Sequence, residues 1–121
     1  MALSRVLIIE DDPGIREALA ECVASFEVQV STARDGLEGL ERLRADPAPD
    51  AVLLDLRMPR LDGDGVLTAL REDPALRAIP VVAMTGFVEP PELPVHAFLK
   101  KPFDLDELAK VLLRLGREAR A

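Results

Sequence analysis

A chain of 121 residues, 49% of them hydrophobic, is long enough to close a core of its own and suggests one domain. A formal net charge of −7 argues against direct contact with a nucleic-acid backbone. The single cysteine, Cys22, excludes an internal disulfide, and no apolar run approaches the ~20 residues of a membrane-spanning helix.

With aromatics at 3% and no Trp or Tyr, the core must be aliphatic, which suits layered helices and strands. "RVLII" (5–9) reads as the first strand. Asp12 offers an N-cap with Pro13 at the first helical position. Ile15, Leu19, Cys22, Val23 and Phe26 then recur on one helical face. "EVQVST" (27–32) alternates apolar and polar residues, as a half-exposed edge strand does. Asp35 and Glu38 form a capping-box pattern ahead of a stripe of Leu37, Leu40 and Leu43.

"AVLL" (51–54) is the third strand, and Val66, Leu67 and Leu70 mark a third helix that ends near Asp73 and Pro74. "VVAM" (81–84) and "AFL" (97–99) are the fourth and fifth strands. Asp104 and Glu107 cap a last helix with Leu105, Leu108, Val111, Leu112 and Leu115 on one face. Strand and helix alternate, so the fold class is α/β with a parallel sheet. The continuous apolar strands 51–54 and 81–84 should be buried on both faces.

The polar residues fall at the strand ends. Glu10 and Asp11 lie just past the first strand, Asp55 ends the third, Thr85 the fourth, and Lys101 follows the fifth. The carboxyl edge of an open α/β sheet is where ligands bind. Three converging carboxylates repel one another unless a cation intervenes, and Mg²⁺ suits such oxygens. A Thr hydroxyl and a Lys ammonium suit phosphate oxygens, and a carboxylate among them can act as a nucleophile.

"EDDP" after the first strand, "LLDLRMPRLDG", the Thr of "VVAMTG" and the Lys-Pro of "LKKPF" together resemble the receiver domains of two-component response regulators. The resemblance covers essentially the whole chain. It implies a flavodoxin-like, doubly wound five-stranded parallel sheet of order 2-1-3-4-5. It also implies that Asp55 accepts a phosphoryl group from the phosphohistidine of a sensor histidine kinase or phosphotransfer protein. Mg²⁺ would be bound by Asp11, Asp55 and the backbone carbonyl of Arg57, with Glu10 acting through a water. Thr85 would bond a phosphoryl oxygen, Lys101 would pair with Asp55 or its phosphate, and Phe98 occupies the position of a switch aromatic. Asp12 stands outside the acid pair and remains a helix cap.

Two other functions compete with this one. Aspartate-nucleophile phosphatases of the haloacid dehalogenase type place a second Asp two residues after the nucleophile, where this chain has Arg57. A degenerate receiver that serves only as a binding module usually lacks an acid, the acceptor or the Lys, and all are present here. The expectation is therefore a cytoplasmic signalling phosphoacceptor rather than an enzyme. It would be a single receiver domain over 1–121 with no output domain, acting on a downstream protein the sequence does not identify.

The pattern departs from the family in one place. Between the fourth and fifth strands lie eleven residues, "GFVEPPELPVH" (86–96), with three prolines and a glycine. Proline inside a helix costs about 3 kcal/mol, and each residue before a proline is pushed from the α region. The family's fourth helix is expected to be missing or degenerate here.

Overall fold

A computed structural model of the chain describes residues 3–45, 47–56, 63–85, 95, 97–101 and 104–120, and for 63, 64, 105 and 116–120 their backbone. Among these residues the strands are β1 (Arg5–Ile9), β2 (Gln29–Ala33), β3 (Ala51–Asp55), β4 (Val81–Thr85) and β5 (Ala97–Lys100). The helices are α1 (Pro13–Ala24), α2 (Gly36–Arg44), α3 (Gly63–Glu72) and α4 (Leu105–Arg120). The strands form one sheet of order β2-β1-β3-β4-β5, all neighbours parallel. That is the doubly wound order expected above. The expected loss of a fourth helix concerns residues 86–96, of which only Val95 is among the described residues.

Alternation along the strands builds two cores. Val6, Ile8, Ala51, Leu53, Val82, Met84 and Leu99 face α1 and α4, meeting Leu19, Val23, Leu108, Leu112 and Leu115. Leu7, Ile9, Val52, Leu54, Val81 and Ala83 face α2 and α3, meeting Leu40, Leu43, Val66, Leu67 and Leu70. Of the three inner strands, β3 and β4 are buried throughout, as their unbroken apolar runs require. Each buried aliphatic side chain contributes about 1.5–3 kcal/mol.

Side chains close the helix starts. The Asp12 carboxylate accepts from the Ile15 N–H at 3.0 Å, with Pro13 opening α1. Asp35 accepts from the Glu38 N–H at 2.8 Å, and Asp104 from the Glu107 N–H at 2.9 Å. The Glu38 carboxylate reaches back to the N–H of Arg34, one residue beyond the usual capping-box partner. Gly39 lets α2 lie close on β1, since a Cβ there would sit 2.6 Å from Ile9 Cδ1.

Three local expectations are corrected. β2 begins at Gln29 rather than at residue 27, because Glu27 takes a left-handed φ of 62° in the turn that ends α1. Ile15 and Leu37 were placed on apolar helix faces but are each 41% exposed. Both lie in the first turn of their helices, at the end nearest the carboxyl edge of the sheet, where the core layer thins out.

Candidate functional site

Register brings the acids together. Ile9 pairs with Leu54 across β1 and β3, so Glu10 and Asp55 stand side by side one residue further on. Asp55 pairs in turn with Met84 and Thr85 with Lys100, which puts Thr85 and Lys101 on the same edge. Backbone bonds extend the sheet past the strand ends: Glu10 N–H to the Ala33 carbonyl at 3.0 Å, Leu56 N–H to Met84 at 3.1 Å, and Lys101 N–H to Thr85 at 2.6 Å. The chain is therefore held firmly where the polar residues emerge.

Glu10 and Asp55 are buried, at 0% and 5% exposure, and Thr85 is buried beside them at 2%, while Asp11 is exposed. The Lys101 ammonium lies 3.0 Å from Glu10 Oε1 and 3.5 Å from Asp55 Oδ1. Its shorter contact is thus to Glu10, where the resemblance pointed to Asp55. Among the described residues no buried side-chain nitrogen or oxygen lacks a partner.

The electrostatics follow from that packing. Burial, with the hydrogen-bonded Asp55 carboxyl beside it, raises the Glu10 pKa from an ordinary 4.5 to about 8, against the pull of Lys101. A proton held between the two carboxyls relieves their repulsion near neutral pH. For Lys101, burial acts to lower the pKa. The hydrogen bond to Glu10 and the charges of Asp55 and Glu10 outweigh it, so the net shift is upward from 10.5. One ammonium and one shared proton thus stand among three carboxyl groups, and the cleft retains negative charge.

The donor set fits a hard divalent cation. Glu10, Asp11 and Asp55 each offer a carboxylate oxygen, all within 4.8 Å of one another. Two oxygens touching Mg²⁺ at about 2.1 Å lie at most about 4.2 Å apart. A slight contraction, or one ligand acting through water, closes the difference. The Arg57 carbonyl, expected as a further ligand, lies outside the described residues.

Phe98 is half-buried in β5 and packs on the α2/α3 core. Lys100 is exposed, as a solvated neighbour of Lys101 should be. Two residues of the sheet edges escaped the sequence reading. Arg16, in the first turns of α1, donates from Nη1 to the carbonyls of Glu10 at 3.0 Å and Asp11 at 3.3 Å. Asp50, at the opposite edge, accepts from the N–H groups of Ser4 at 2.7 Å and Arg5 at 2.9 Å. An arginine one helical turn after a capping acid, and an aspartate just before a strand, were the available signals.

Comparison with known proteins agrees with this geometry. The family model described as "Response regulator receiver domain" matches residues 6–113. The regulatory protein AtoC of Escherichia coli (strain K12) is 36% identical, in a match that covers 93% of this chain and 25% of that protein. The DNA-binding dual master transcriptional regulator RpaA of Synechocystis is 34% identical, across 98% of this chain and 52% of its own. The chain therefore spans between a quarter and about half of these two relatives. The receiver domain of the sensor histidine kinase PA1611 from Pseudomonas aeruginosa, solved with a magnesium ion in its active-site cleft, superposes with a TM-score of 0.84 at 26% identity. That match covers 93% of this chain and 97% of the other.

Proposed function

The chain belongs to the response regulator receiver domain family, and from that membership we propose that it is a Mg²⁺-dependent phosphoacceptor whose acceptor is Asp55. The observation that carries the reading is the buried Asp55 carboxylate, set between Glu10 and the Lys101 ammonium at the carboxyl edge of a parallel sheet. An Asp55 oxygen attacks the phosphorus of a phosphohistidine. The new O–P bond forms as the N–P bond breaks, and the departing imidazole takes up a proton. Lys101 stays beside the acceptor and offsets charge on the transferred group, and Thr85 supplies a hydroxyl to one of its oxygens. A divalent cation held by Asp11 and Asp55, with Glu10 and the Arg57 carbonyl contributing, would supply the positive charge that lets an anionic donor approach.

On this reading the partner is a sensor histidine kinase or phosphotransfer protein, and the phosphorylated form is read by a downstream protein. The chain acts as a signalling phosphoacceptor, handling only its own phosphoryl group, as a single receiver unit in the cytoplasm. Among the described residues no helix is long and apolar enough to cross a membrane. RpaA is by name a DNA-binding regulator; for this chain, the charge of −7 argues against direct contact with nucleic acid.

The test uses acetyl phosphate with Mg²⁺ and intact-mass detection. An adduct of ~80 Da, the mass of one phosphoryl group, is expected on the wild type and is absent from Asp55→Asn. Wild-type labelling in that variant would remove Asp55 from the role.

A further inference from the structure

The turn between β1 and α1 carries three acids in a row, and the first two, Glu10 and Asp11, stand in opposite surroundings. Glu10 is buried and aimed by packing, while Asp11 is exposed. For an exposed residue, φ and ψ set where the Cα–Cβ bond points and which χ1 rotamers can carry the carboxylate from it. Both angles depend on the two peptide planes flanking its Cα.

Both planes are tied down. The preceding plane is held at the Glu10 carbonyl, which accepts from Arg16 Nη1 at 3.0 Å. It is held again at the Asp11 N–H, which donates to Glu10 Oε2 at 3.1 Å. The following plane is held at the Asp11 carbonyl, which accepts from the same Nη1 at 3.3 Å. The Arg16 backbone is held in turn by its N–H, which donates to the Asp12 carbonyl at 2.8 Å in the first turn of α1, and the residue is half-buried.

We infer that Arg16 is a positioning residue for the metal site: one guanidinium nitrogen, bridging the carbonyls of Glu10 and Asp11, aims the Asp11 carboxylate at the cleft. The inference rests on the receiver reading above, in which Asp11 is a metal ligand. It is separable from a plain charge effect by sign. A cation beside a divalent-metal pocket repels the metal, so losing only its charge tightens Mg²⁺ binding. Losing a clamp loosens it.

The experiment is a Mg²⁺ titration of the wild type, Arg16→Met and Arg16→Lys, followed by calorimetry and backbone amide shifts, with metal-free melting temperatures recorded alongside. Arg16→Met should bind Mg²⁺ about tenfold more weakly, in line with other residues that orient metal ligands. The Asp11 amide shift should also move in its metal-free state. Arg16→Lys should recover most of the affinity, since an ammonium can donate to two carbonyls. Unchanged or tighter binding in Arg16→Met overturns the inference, as does a lowered melting temperature with affinity intact. If Arg16→Met does not fold, Arg16→Gln serves, with an intermediate loss expected and unchanged affinity overturning the idea. A wild type that ignores Mg²⁺ removes the metal site and this inference together. Wild-type binding with unchanged Arg16→Met affinity removes the inference alone.

Discussion

Asp50 and Asp55 bracket the same strand and meet opposite conditions. Asp50, just before β3 on the amino edge of the sheet, accepts two backbone N–H groups from Ser4 and Arg5, and its own N–H donates to the Arg5 carbonyl at 2.8 Å. It joins the start of β1 to β3 and leaves no charge seeking a partner. Asp55, at the carboxyl edge, is buried beside a second buried acid and shares one lysine with it. The first arrangement ties two backbone N–H groups to one carboxylate oxygen and stabilises the fold. The second is tolerated by the fold and useful only to something that arrives. What surrounds a carboxylate, backbone N–H groups in one case and a second buried acid in the other, separates a structural acid from a functional one.

The contrast can be broken most severely by pH. The folded-state pKa of Glu10 is raised from 4.5 to about 8, so the folded protein binds this proton more tightly than the unfolded chain does. The stability this proton contributes is fully present below about 4.5 and is lost as pH rises toward about 8. Metal-free melting followed across that window should fall with pH, with a slope of at most about 1.4 kcal/mol per unit from this one group. Glu10→Gln should flatten the profile. Because cation and proton compete for the same oxygens, the stabilisation by Mg²⁺ should grow over the same range. A flat metal-free profile in the wild type would show that the two acids do not share a proton.

Removing Asp50 should have a smaller and metal-independent effect. Asp50→Ala leaves two N–H groups without their acceptor and should cost about 1–2 kcal/mol in denaturant melts, since water reaches this exposed edge. Its Mg²⁺ affinity should equal that of the wild type. A changed affinity would mean that the two edges are coupled through β3. The smallest effect belongs to Glu27, also on the amino edge, where a φ of 62° costs a side chain about 1 kcal/mol. Glu27→Gly should raise stability by about that amount, and a loss of stability would place a favourable contact on the Glu27 side chain.

Most of the site was legible because each of its residues is punctuated locally. An apolar run that stops on an acid, as at Ile9–Glu10 and Leu54–Asp55, marks a strand end and a polar residue together. The caps at Asp12, Asp35 and Asp104 were equally plain, because capping is an interaction of near neighbours in sequence. What escaped depended on distance through the fold. The periodicity that named Ile15 and Leu37 says which face of a helix turns inward but not how far the core extends beneath it. The onset of β2 was misplaced because the alternation of "EVQVST" continues through Glu27, where the backbone has not yet straightened. That Lys101 sits closer to Glu10 than to Asp55 reflects which acid keeps room for an ammonium once both are buried.

The strand order has a consequence for a chain made from its N terminus. After β1, each new strand joins an edge already formed: β2 on one side, then β3, β4 and β5 in turn on the other. Glu10 and Asp55 can therefore be brought together once β3 has been synthesised, while Lys101, 91 positions beyond Glu10, is still to come. Until then the two acids have no ammonium to meet. The last strand to dock completes the sheet and also brings the ammonium, so completion of the sheet and partial offset of the cleft's negative charge are one event.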